Sequence, residues 1–176
     1  MRTAIMIKST SPSGSSALSP AQFRKYNRLS EQMAFYHSLL RSKWDELYAG
    51  TAPDARSPSP SRLIRVGQEF CTHLKGHHDI EEAFWFPALG KKMASFRPGH
   101  FATEQHKEMH KGLDVLMPYL DECRRGEREL RREEVRRIMD SFREVLWTHL
   151  DEEVRELGAE NMRRYWSLEE METFPF

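Results

Sequence analysis

The chain has 176 residues, 39% of them hydrophobic and 31% charged, and its 27 Lys and Arg balance its 27 Asp and Glu. That length suits one domain with a real core, and a net charge of zero removes the electrostatic case for a nucleic-acid binder or a polybasic membrane-surface protein. No apolar run reaches the roughly 18 residues a membrane span needs, and two cysteines, Cys71 and Cys123, make no disulfide framework, so a cytoplasmic, reducing compartment is expected.

Residues 1–18 are rich in Ser, Pro and Gly and read as a disordered tail. Their apolar patch, Ala4 to Ile7, is too short for a secretory signal, whereas a Ser-rich segment free of acids is also the composition of a transit peptide. Ser19, Pro20 and Gln22 form a helix start: an N-cap, a proline at the first helical position and, at the third, the partner of a capping box. The first helix is predicted from Pro20 to Tyr48 and is broken by Gly50 and "TAPDARSPSPS", a stiff polar linker. A second helix is predicted from Arg62 to Phe86, ending near Pro87. "GKKMASFRPG" reads as a loop. A third helix is predicted from Phe101 to Cys123, with a kink at Pro118. "RRGER" turns the chain into a fourth helix from Leu130 to Leu157, with Gly158 as its C-terminal cap. Ser167-Leu168-Glu169-Glu170 opens a short last helix. No segment shows strand alternation. The expected fold is therefore all-α, an antiparallel up-down four-helix bundle over residues 19–158, with residues 159–176 as a C-terminal extension.

The eight histidines are not scattered. At 100° per residue, Leu63, Val66, Phe70, Leu74, Phe84 and Trp85 define the apolar stripe of the second helix, and from Leu63 the geometry puts His77 at about −40° and Glu81 at about 0°. Both face the core. By the same geometry His78 and Glu82 fall at about 60° and 100°, toward the stripe's edge, and His73 falls on the opposite edge. On the fourth helix His149 and Glu153 lie within the face made by Val135, Ile138, Met139, Phe142, Leu146 and Leu157. On the third, His106 and His110 lie beside Met109, Leu113, Leu116, Met117 and Leu120, whereas His100 faces away. On the first, His37 flanks the stripe of Tyr26, Leu29, Met33, Leu40, Trp44 and Leu47. His77/Glu81, His106/His110 and His149/Glu153 are each spaced four apart, which stacks both side chains on one helix face.

One inward histidine is an ordinary core residue, but carboxylates aimed into a core need compensation, and no Lys or Arg falls centrally on these stripes. A metal centre is the simplest compensation, since imidazoles with carboxylates suit borderline cations such as iron. His73, His78 and His100 read as supporting or exposed residues, and Glu82 as a partner for a ligand imidazole.

The segments "HHDIEEAFWFPAL", "QHKEMHKGL" and "HLDEEV", with a histidine upstream, resemble the hemerythrin family in its hemerythrin-like, HHE cation-binding form, over roughly residues 21–158. The resemblance implies an antiparallel four-helix bundle holding a non-heme di-iron centre. Its ligand pattern falls on His37, His77, Glu81, His106, His110, His149 and Glu153, with the two carboxylates bridging the irons. It further implies one iron with an open position where dioxygen or another small diatomic ligand binds. The oxygen carriers of the family have an Asp five residues after the last His, whereas Glu153 follows His149 by four, which fits the hemerythrin-like branch better. Ferritin-like di-iron proteins use Glu-x-x-His and zinc metalloproteases His-Glu-x-x-His; neither pattern occurs here.

The functional expectation is a protein that binds or senses oxygen or iron, with no catalytic residues assigned. Phe70, Phe84, Trp85, Met109, Leu113, Phe142 and Leu146 are candidates for a dry pocket wall. The alternatives are a di-iron enzyme reducing peroxide or nitric oxide, with Tyr26, Tyr36 or water supplying protons, and an interaction module whose bundle is rigidified by iron for a protein partner.

Overall fold

The computed structural model describes residues 17–53 and 58–174. The expected tail at 1–18 therefore lies almost wholly outside the described residues, as does part of the Ser/Pro linker. The described residues are helical, with no strand among them. Four long helices dominate: α1 (Pro20–Gly50), α2 (Pro60–Ile80), α4 (Phe101–Arg125) and α5 (Arg132–Glu156). Shorter ones fill the joins: α3 (Phe86–Leu89), α6 (Ala159–Met162) and α7 (Leu168–Glu172). No helix among the described residues is long and apolar enough to cross a membrane.

The helix starts follow local chemistry. The Ser19 hydroxyl accepts from the Gln22 backbone N–H, and Gln22 Oε1 accepts in return from the Ser19 N–H at 2.9 Å, which closes the capping box. Ser59 caps α2, with Pro60 at the first position, so that helix begins earlier than the expected Arg62. Ser167 and Glu170 form a second capping box at α7, the short last helix expected to open there. Gly158 differs from expectation: at φ −65° it is not a left-handed terminator but the N-cap residue of α6.

Side-chain contacts join the long helices to one another. Ser30 meets Val154 and Tyr48 meets Asp140 between α1 and α5; Lys43 meets Glu69 and Arg62 meets Glu46 between α1 and α2. Gln68 with Asp121 and His78 with His110 join α2 to α4, and Gln105 with Glu152 joins α4 to α5. At Gly112 the helices approach so closely that a Cβ would lie 2.1 Å from the Phe142 ring, so glycine is what lets α4 meet α5 there.

Two apolar clusters result. One holds Trp44, Leu47, Leu63, Phe70, Leu116, Ile138 and Phe142. The other holds Tyr26, Leu29, Trp85, Phe86, Leu89, Met93, Phe96 and Leu157. Trp166, Met171 and Phe174 belong to the second cluster, and Arg28 Nη2 donates to Met171 O at 2.9 Å, so the C-terminal segment closes that end of the core rather than trailing from it. Burial pushes the Cys71 thiol up to about 12, which suits a small packed residue and not a reactive one.

Helix α2 does not run straight to Phe86. From Glu81 to Trp85 it widens into a π turn, in which the Phe86 N–H reaches back to Glu81 O. Pro87 gives the physical reason: it has no N–H to donate and its ring crowds the carbonyl four residues before it, and a wider turn relieves both. The extra residue moves the inward register. Trp85 and Phe86 are buried, whereas Phe84, expected in the pocket wall, is 61% exposed.

Candidate metal centre

A polar layer separates the two apolar clusters. His37, His78, Glu81, His106, His149 and Glu153 are all buried in it, and His77 is mostly buried. The donor atoms of His37, His77, Glu81 and Glu153 lie within 4.8 Å of one another, and those of His78, Glu81, His106 and His149 do the same. Glu81 belongs to both groups.

Each helix delivers its residues for a local reason. His37 stands between Met33 and Leu40 on the buried face of α1, and His106 stands one turn before Met109 on α4. His149 and Glu153 extend the apolar column of Phe142 and Leu146 on α5. His77, His78 and Glu81 come from the last turn of α2 and the entry to the π turn.

Hydrogen bonds on the outer side orient the rings. His37 Nδ1 is 2.9 Å from Leu150 O, and His106 Nδ1 is 2.8 Å from Glu82 Oε1. His149 Nδ1 is 3.1 Å from Gln105 Oε1, whose own amide N donates to Glu152 at 2.9 Å, which fixes the amide's direction. A carbonyl or carboxylate oxygen can only accept, so each Nδ1 carries the proton and each Nε2 turns inward. The inward atoms crowd together. His106 Nε2 is 3.2 Å from His149 Nε2, and His37 Nε2 is 3.1 Å from His77 Nε2. His77 Nε2 is 2.9 Å from Glu81 Oε1, His106 Nε2 is 3.3 Å from Glu81 Oε2, and His37 Nε2 is 3.3 Å from Glu153 Oε2. Despite these approaches, all four oxygens of Glu81 and Glu153, and His78 Nε2, are buried without a well-formed hydrogen bond among the described residues.

The electrostatics agree with a set of neutral imidazoles. Burial pushes His77 down to about 4, against the pull of Glu153, and His106 and His149 down to about 3. Burial and the neighbouring imidazoles put His78 well below its ordinary value. Burial, together with the charge of Glu153, holds Glu81 well above the usual carboxylate range. Burial works to raise Glu153 too, but His37, His149 and His77 bring it down to about 2. Without a cation the two carboxyls thus share a single negative charge. Among the described residues no Lys or Arg is buried to compensate them. Inward lone pairs, orphaned carboxylate oxygens and the absence of a buried Lys or Arg among the described residues together fit a borderline cation bound by nitrogen and oxygen.

Six of the seven residues expected as ligands converge here: His37, His77, Glu81, His106, His149 and Glu153. His110 lies outside both groups. It is half-buried, and its Nε2 lies 3.0 Å from His78 Nδ1. His78, expected at the edge of the helix, is instead fully buried, stacked on His106 with ring centroids 3.8 Å apart. The signal for it is in the sequence: Ile64 and Cys71 precede His78 at steps of seven and are themselves buried, so α2 buries a second column against α4. Glu82 contacts His106 as a supporting partner, whereas Gln105 does the same for His149 with no sequence expectation attached. His73 and His100 are exposed.

A family model described as the Hemerythrin HHE cation binding domain matches residues 28–160. Neither the curated proteins nor the solved structures yield a match.

Proposed function

The chain belongs to the hemerythrin HHE cation-binding family, and from that premise we propose that it is a non-heme di-iron protein that binds or senses oxygen or iron, built as an antiparallel up-down four-helix bundle over residues 19–158. One iron would be held by His37, His77, Glu81 and Glu153, and the other by His78, Glu81, His106 and His149, with Glu81 shared between them. Iron bound there would supply redox-active electrons and a coordination site for dioxygen or another small diatomic ligand. The chain's own part is to hold His37, His106 and His149 in one tautomer through Leu150, Glu82 and Gln105, to back His78 with His110, and to keep bulk water out with the apolar layers above and below.

The observation that carries this reading is the convergence of His106 Nε2 and His149 Nε2 at 3.2 Å, each ring having its proton on the other nitrogen. Two lone pairs that close repel unless a cation lies between or beside them. Assigning the second site to His78 rather than His110 rests on the buried, unpartnered Nε2 of His78. Anaerobic reconstitution with ferrous iron followed by elemental analysis tests the reading: about two irons per chain are expected for two four-donor groups. A chain that retains no metal after reconstitution would sink it.

A further inference from the structure

The polar layer is largely buried. Among the residues of the two donor groups the most exposed is His77, whose side chain is 12% exposed, whereas Glu81, His106, His149 and Glu153 are at most 1% exposed. His77 borders a cleft of about 560 Å³ between α1 and α2. Tyr36 and Leu39 form one wall, Gly76 and Ile80 the other, and the buried Glu81 and Trp85 its inner end. A water molecule claims about 30 Å³ of liquid and small-molecule sites run from about 300 to 1,000 Å³, so the space is much larger than a diatomic ligand requires.

Gly76 is the informative residue. A glycine inside a helix is about 1 kcal/mol less favourable than alanine. Backbone geometry does not demand it, because the positive-φ glycines are Gly99 and Gly126. Packing does not demand it either: no atom lies within 4 Å of the position its Cβ would take. What the missing side chain leaves is open space on the cleft wall, one residue before His77. Met33, Leu39, Leu40, Ile80 and Trp85 give the lining an apolar body, Gln32, Thr72 and His73 add polar groups to it, and no Lys or Arg lines the cleft to pair with an anion.

We propose that the α1–α2 cleft is a binding site for a neutral small molecule with an apolar body and a single oxygen function, its oxygen end directed at His77 and Glu81, and that Gly76 keeps the site open. The site deepens the metal reading, since the oxygen end meets the exposed edge of that centre; the apolar part of the site exists with or without metal. A straight-chain alcohol represents the class.

Met33 also lines the cleft and is 1% exposed, so its methyl group reports on the site directly. The test uses the full chain labelled with ¹³C at the methionine methyls, metal-free and zinc-loaded, titrated with octan-1-ol, the Met33 signal being assigned with a Met33→Leu variant. A saturable shift of Met33 is expected in both forms. Gly76→Leu is expected to abolish it and Gly76→Ala to weaken it several-fold, with zinc content equal to that of the unsubstituted chain. No saturable shift, or the same shift in Gly76→Leu, would overturn the proposal. A Met33 response in a chain that takes up no metal would overturn the metal reading and leave the apolar site standing.

Discussion

His78 and His110 are linked through their rings: Nδ1 of the fully buried His78 lies 3.0 Å from Nε2 of the half-buried His110, with the rings stacked at 5.2 Å between centroids. His78 thereby turns its other nitrogen toward Glu81, His106 and His149, and His110 stands behind it. The two residues should therefore respond differently to removal. His78→Ala is expected to lose one metal ion per chain. His110→Ala is expected to keep the stoichiometry and lose about 10- to 100-fold in affinity, the usual effect of deleting a partner of a metal ligand. Elemental analysis with competitive chelator titration separates the outcomes, and the reverse pattern would hand the ligand role to His110.

Glu81 is common to both donor groups, so Glu81→Gln should empty both. Its effect on the metal-free fold should be small. Burial and Glu153 already favour the neutral carboxyl at this position, and Gln has nearly the same shape and no charge. Urea unfolding of the metal-free chains should agree to within about 1 kcal/mol, whereas metal content should fall to background.

Acid should destabilise the metal-free protein in a defined window. The unfolded imidazole titrates near 6.5, whereas burial holds His77 at about 4 and His106 and His149 at about 3. Between those values the unfolded chain binds more protons than the folded one, so stability is present above pH 6.5 and is lost as pH falls toward 4. Each such group contributes a slope of up to about 1.4 kcal/mol per pH unit. Glu81 acts in the opposite sense, because its raised value favours the folded state as pH falls, but one carboxyl is outweighed by His77, His106, His149 and the similarly depressed His78. Urea midpoints at several pH values measure this; a midpoint that rises on acidification from 6.5 to 4 would contradict it.

Gly112→Ala tests the contact that brings His106 against His149. The new methyl would lie 2.1 Å from the Phe142 ring, in a core with Leu146 and Met109. Overpacking of this kind costs about 1–3 kcal/mol, and pushing α4 from α5 should also weaken metal binding. Thermal and urea unfolding report the first effect and chelator titration the second.

Much of this centre is written locally. The capping box at Ser19 and the helix start at Ser167 need only residues within one turn, so the sequence shows them directly. His77/Glu81 and His149/Glu153 lie on the apolar faces of their helices at a spacing of four, and a regular helix carries that pattern inward whatever surrounds it. Glu82 was legible too, as an acid next to the ligand segment.

What the sequence could not decide depended on how the helices meet. The spacing of Ile64, Cys71 and His78 marks a column on α2, but only the packing of α2 against both α1 and α4 buries it, and that packing places His78 in a donor group and His110 outside both. Pro87 perturbs the hydrogen bonds upstream of it, and the resulting π turn sends Phe84 outward and Phe86 inward against a 3.6-residue repeat. Gln105 matters because α4 lies beside α5, which no spacing within either helix encodes. The sequence by itself determined an all-α chain with inward imidazoles and carboxylates, because side-chain direction along a helix is a local property. Only the tertiary structure decided which of those donors share a centre and where it opens, because distances between helices are set by packing and not by any one helix.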